Sequence, residues 1–163
     1  MLHDAPQFLQ ALEQSGFASA VRQSSWAYLT ANVGHILALA VFAAAVAIMD
    51  LRLLGAFSAT PPAGVVRPAR RVAMLALLLM AATGFVLFAA EATHVAGNRV
   101  FQVKAVLIVL GVVNALLVAR ALGPALDATP PCKPLPGRVR AAAALSLGIW
   151  LSVAACGRLI AYF

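Results

Sequence analysis

The sequence predicts an all-α protein: an up-down bundle of four transmembrane helices preceded by a short N-terminal interfacial helix. Three observations carry this. Of 163 residues, 63% are hydrophobic and only 10% are charged, whereas a soluble domain carries about 25% charged residues. Mean hydropathy is +0.95, too apolar for a surface that must face water. Four apolar runs are separated by segments rich in proline, glycine and arginine. Each run approaches the ~20 residues of helix that cross a ~30 Å hydrocarbon core.

The N-terminal segment, residues 1–25, comes first. Between residues 5 and 22, Phe8, Leu9, Leu12 and Phe17 lie near helical spacing, with Gln7, Gln10, Glu13 and Gln14 between them. That pattern predicts an amphipathic helix lying on the membrane surface. The segment lacks the basic start and short apolar core of a secretory signal.

The transmembrane domain is expected over 26–163, with spans at about 27–49, 72–90, 102–120 and 141–163. Thr30, Asn32 and His35 interrupt the first run, and the second contains no charge. Lys104 lies in the first turn of the third, and Arg158 lies near the end of the fourth. Ala, Leu and Val dominate, without the alternation of barrel strands, so the spans are helices. Pro61, Pro62, Gly64 and Pro68 predict a first loop over 50–71, and Gly123, Pro124 and the prolines at 130, 131, 134 and 136 a third over 121–140. Gly84, Gly111 and Gly148 are expected to let helices approach closely.

Loop charge predicts direction. The first loop carries Arg52, Arg67, Arg70 and Arg71, and the third carries Arg120, Lys133, Arg138 and Arg140. The middle link has Arg99 and, just inside the next helix, Lys104. The positive-inside rule then puts the first and third loops in the cytoplasm. In a bacterial inner membrane, both termini become periplasmic, with Trp26, Tyr28 and Tyr162 near the outer interface. The net charge of +7 is thus topology, and the partner it implies is a lipid bilayer rather than a nucleic acid.

An ionisable group inside a bilayer is costly and needs a partner or a task. His35 lies about nine residues past Trp26, roughly 13 Å deeper at 1.5 Å per residue, with Asn32 one turn before it. Glu91 and His94 are spaced i, i+3 at the outer end of the second helix. Arg158, Arg99 and Lys104 border the same end. His94 reads as shallower than His35 by roughly 10 Å on that rise.

Four readings compete for this constellation. The leading one is b-type haem for electron transfer near the outer face, with His35 and His94 as axial ligands and Arg158, Lys104 and Arg99 as cations for the propionates. It brings a redox partner with it. A second is a copper or other transition-metal site on the two histidines. A third is a proton or solute path through His35 and Glu91. The fourth is a cofactor-free structural or assembly subunit of a membrane complex. There His35 and Asn32 bond across helices and Glu91 pairs with Arg158 or Lys104. Asn114, in the middle of the third span, is expected to bond to a neighbouring helix, and Asp50 to pair with a loop arginine. The two cysteines, Cys132 and Cys156, form no C-x-x-C pair and suggest no disulfide. No hydrolase, P-loop or dinucleotide motif is present.

The stretch from Trp26 to Gly55, ending Met49-Asp50-Leu51-Arg52-Leu53-Leu54-Gly55, resembles the opening of a family of small bacterial inner-membrane proteins of unknown function. Phe101-x-x-Lys104 leading to Asn114-Ala115-Leu116-Leu117 resembles its third helix. Gly157-Arg158-Leu159-Ile160-Ala161 resembles its ending. The resemblance implies a histidine near the end of the third helix, but this chain has Val118-Ala119-Arg120 there. More remotely, helix count and His placement resemble copper-resistance D proteins and b-type cytochrome membrane subunits, an analogy at the level of fold.

Overall fold

A backbone in hydrocarbon must satisfy its own hydrogen bonds, so each apolar run folds as one continuous helix. The computed structural model describes residues 6–160 and 162. The first residues of the N-terminal segment, and Ala161 and Phe163 of the fourth run, lie outside the described residues. The elements are α1 (Gln7–Glu13), α2 (Gly16–Gln23), α3 (Ser25–Leu54), α4 (Pro62–Ala90), α5 (Ala92–Gly97), α6 (Arg99–Ala128) and α7 (Gly137–Leu159). Four stretches are long and apolar enough to cross a membrane: Ser25–Leu54, Pro62–Ala90, Arg99–Arg120 and Gly137–Leu159. The chain is a multi-pass membrane protein built as an all-α bundle.

The helices outrun the apolar runs. The expected loop over 50–71 shrinks to seven residues between α3 and α4, and that over 121–140 to eight between α6 and α7. Apolar character measures contact with lipid, whereas a helix continues wherever arginine and alanine favour it. Pro62 does not break α4 because it is the first helical residue, where its missing N–H is not needed. Pro68 and Pro124 are carried inside α4 and α6, each removing one intrahelical bond. Gly55 ends α3 in the left-handed region at φ 119, a conformation that glycine adopts without a Cβ clash.

The N-terminal segment is two helices where one was expected. Ser15 interrupts it and caps α2, its hydroxyl accepting from Ala18 N at 3.2 Å. Its own proton goes back to Leu12 O at 2.6 Å. A serine that serves both neighbours favours a break over a continuous helix.

The long helices form two tight antiparallel hairpins, α3 with α4 and α6 with α7, joined along α3 and α7. α4 and α6 barely meet. Many of the buried side chains in the spans are small, and many of the large ones face outward. Ala31, Ala38, Ala45, Ala73, Ala76 and Ala143 are buried, while Leu75, Leu78, Val106, Val109 and Leu151 are exposed. In lipid nothing drives large apolar side chains inward, and small ones let backbones approach. Gly111 is the clearest instance, since a Cβ there would stand 2.8 Å from Trp150 Cζ2. Gly148, expected to do the same, is exposed and faces open space. Phe42 meets Trp150 edge to face at 4.6 Å between centroids, locking α3 to α7.

Candidate functional site

The two ends of the bundle differ in chemistry. One end carries the arginines on the helix ends that flank the α3–α4 and α6–α7 loops. The other gathers α1, α2 and α5 together with His35, Thr83 and Lys104 of the spans.

At this second end, α1 and α2 fold back over the bundle and complete its helix termini. A helix leaves its first N–H and last C=O groups without partners. Arg22 Nη1 donates to Ala90 O at 2.9 Å, capping α4. Glu13 Oε2 accepts from Thr93 N at 2.7 Å and from Thr93 Oγ1, capping α5 from 80 residues away. Those two bonds hold the Glu13 carboxyl below the usual carboxylate range, and the charges of Arg22 and His94 act in the same direction. Phe17 stacks on Phe85 at 6.3 Å and Phe88 on Phe101 at 5.5 Å.

Beneath this cap lies a polar centre. His35 of α3 points its imidazole at α4, where Nδ1 stands 3.0 Å from Thr83 Oγ1. Thr83 already donates its own proton to Leu79 O at 2.7 Å, so its oxygen accepts and His35 Nδ1 carries the hydrogen. That network assigns the tautomer and leaves Nε2 with its lone pair. The ring rests against Gly84, where a Cβ would come within 3.2 Å of His35 Cε1. Lys104 of α6 lies within electrostatic reach of His35. It also runs beside α7, its Nζ 3.4 Å from where a Gly157 Cβ would be, and near Cys156. All four long helices therefore contribute: His35, Thr83 with Gly84, Lys104, and Cys156 with Gly157.

The other expected site residues go elsewhere. His94 is exposed on α5 beside Glu13, so His35 and His94 occupy separate settings. Thr83 lies seven residues below the end of α4, about 10 Å at the helical rise. Arg158 donates to Tyr162 Oη at 2.6 Å and lies over its ring at 4.8 Å. Arg99 is exposed at the start of α6, and Asn32 is exposed on α3. Glu91 is exposed at the junction of α4 and α5. It pairs with neither Arg158 nor Lys104, because the first turns to Tyr162 and the second toward α7. Among the described residues the ion pair is Arg67 with Asp127 at 2.8 Å. Asn114 does bond to the neighbouring helix, donating to Ala142 O of α7 at 3.1 Å.

Asp50 and Arg52 are the other surprise, each only 1% exposed. Asp50 does not pair with a loop arginine. It faces Ser146 of α7, while Arg52 turns the opposite way and donates to Thr60 O at 2.7 Å. Residues two apart on a helix project to different sides, which separates these opposite charges.

Thr83 was missed by sequence reasoning, although it is the only polar side chain in residues 72–90. Its place directly before a glycine on the helix paired with His35 was the available signal. Cys132 and Cys156 are both free thiols. Among the described residues no three His, Cys, Asp or Glu side chains come together as a metal-ion set.

No curated protein and no solved structure matches the chain significantly. The likeness to copper-resistance D proteins or cytochrome subunits therefore gains no support. A family model does match, over residues 14–163. It covers α2 to α7 and with them every residue of the polar centre, so the chain belongs to the family of unknown function DUF6644.

Proposed function

We propose that the protein binds b-type haem in the half of the bundle under the N-terminal cap and passes electrons there, with His35 as an axial ligand. The observation that carries this reading is the orientation of His35. Its Nδ1–H is satisfied by Thr83 Oγ1, and an acceptor that holds one ring nitrogen is what directs the other at a metal. A bare metal ion needs three or four protein ligands, whereas haem brings its own macrocycle and asks the protein for one or two. A single oriented imidazole suits the second case. When bound, haem supplies a one-electron couple. The chain's own residues would hold it: His35 would fix its position, Thr83 fixes His35, and the Lys104 ammonium would offer a propionate its counter-charge.

In this reading the membrane is a bacterial inner membrane and both termini face the periplasm. Eight of the twelve Lys and Arg residues lie at or near the α3–α4 and α6–α7 loops, which favours that end as cytoplasmic. The N-terminal pair α1–α2 then lies at the periplasmic interface, where electrons exchange with a redox partner.

The test is the optical spectrum of the full chain purified in detergent with haem supplied. A Soret band near ~410–430 nm is expected, lost in His35→Ala and kept in His94→Ala. A second reading, a structural or assembly subunit, draws on the close fit of the imidazole against Gly84. No Soret band, with His35→Ala lowering only thermal stability, would decide for it.

A further inference from the structure

At the arginine-rich end, the short loops between α3 and α4 and between α6 and α7 border a cavity of about 190 Å³. Cys132 N donates to Ser58 O at 2.7 Å and ties the two loops together. Arg52, Lys133, Arg140, Ser58, Gly55 and Cys132 line the space. Three of these six are cations, and no carboxylate is among the lining residues. Asp127 is held by Arg67, and Asp50 lines the apolar cleft between α4 and α6 instead.

Arg52 makes the arrangement unusual. It is 1% exposed, its Nη2 is used on Thr60 O, and its Nε has no hydrogen-bond partner. A guanidinium is always charged. Taking it out of water is costly unless an opposite charge compensates. Lys133 and Arg140, both exposed at the rim of the same cavity, raise its positive potential further. Among the described residues, the lining supplies cations and the polar Ser58 but no anion.

We propose that this cavity is a binding site for a phosphoryl group, with Arg52 as its buried anchor and Lys133 and Arg140 as its rim. Guanidinium N–H groups match phosphate oxygens in a forked geometry, and a lysine beside them adds a mobile charge. The phosphoryl group belongs either to a phospholipid headgroup or to a soluble phosphate. The site lies at the opposite end of the bundle from His35, and it stands whether or not haem binds.

The experiment is calorimetric titration of the full chain in neutral detergent and phosphate-free buffer. The probes are inorganic phosphate and a short-chain phosphatidic acid. Binding of either at one site per chain is expected, weakening as salt rises from about 50 to about 200 mM. Binding of the lipid alone identifies a headgroup site, and equal binding of both identifies a soluble phosphate. The double variant Lys133→Gln/Arg140→Gln, altered only at exposed positions, should lose about tenfold or more in affinity. Arg52→Gln should abolish binding, although it can also impair folding. If neither probe binds, or if the exposed double variant binds as the parent does, the proposal is overturned.

Discussion

Thr83 Oγ1 accepts from His35 Nδ1 at 3.0 Å while donating its own proton to Leu79 O at 2.7 Å. The threonine is thereby a relay with a fixed sense: backbone carbonyl, hydroxyl, imidazole. Thr83→Val keeps the shape and removes the acceptor. In haem-loaded protein it should weaken haem retention by about 10- to 100-fold, the range for losing an outer-shell partner of a ligating histidine. Thr83→Ser should restore it. Absorbance titration with haem reads both. Equal affinity in the valine variant would detach Thr83 from the site.

The contact of Glu13 with Thr93 is a pH-dependent clasp between α1 and α5. The folded protein holds the Glu13 carboxyl below its ordinary range. Its contribution is therefore complete above the unfolded value of about 4.3 and disappears as pH falls through the lowered folded value. Glu13→Gln should accelerate amide exchange of α5 at neutral pH. The parent should lose that protection only on acidification below the ordinary carboxylate range. Hydrogen exchange read by mass spectrometry separates the two.

Gly111 touches the indole of Trp150, and a methyl group there would overlap Cζ2 at 2.8 Å and crowd Ile149 as well. Gly111→Ala should destabilise the α6–α7 packing by about 1–3 kcal/mol, the usual cost of overpacking. Gly148→Ala, with nothing within 4 Å of the added carbon, should be near neutral. Unfolding in mixed detergent compares them, and equal stability of the two variants would contradict the packing described.

Arg67 and Asp127 join α4 to α6 where those helices otherwise stand apart. Both side chains are more than half exposed, 55% and 59%. A double-mutant cycle with Arg67→Gln and Asp127→Asn should give a coupling of about 1 kcal/mol or less, falling as salt is added. A larger coupling that persists in high salt would mean the pair is shielded by lipid.

The spans were legible because length and hydropathy measure the lipid contact directly. Helix ends were not, since Arg67, Arg70 and Arg71 continue α4 beyond the hydrocarbon-like run. For the site, sequence gave depth along each helix but not rotation about it. His35 was recognisable as a costly group in a span. Its partnership with Thr83 and Lys104 depends on how α3, α4 and α6 are turned, which no single sequence displays. His94 seemed a natural mate by residue type, yet the turn at Glu91 carries it onto α5 and out to the surface. Arg52 read as one of the first-loop cations, because its burial depends on the α3–α4 loop presenting Thr60 O to it. Asn114 was readable from its position alone, because a mid-span amide has few alternatives to a neighbouring carbonyl.

The division into two hairpins carries a consequence for how the chain is made. The contacts between α3 and α4, and the bond from Arg22 to Ala90 O, all lie within the first 90 residues. That pair can therefore settle in the bilayer while the rest of the chain is still being synthesised. The second pair must wait for α7, and the α3–α7 seam forms only when Trp150 reaches Phe42. The polar centre, which draws Lys104 from the late hairpin to His35 of the early one, is among the last features of the molecule to be assembled.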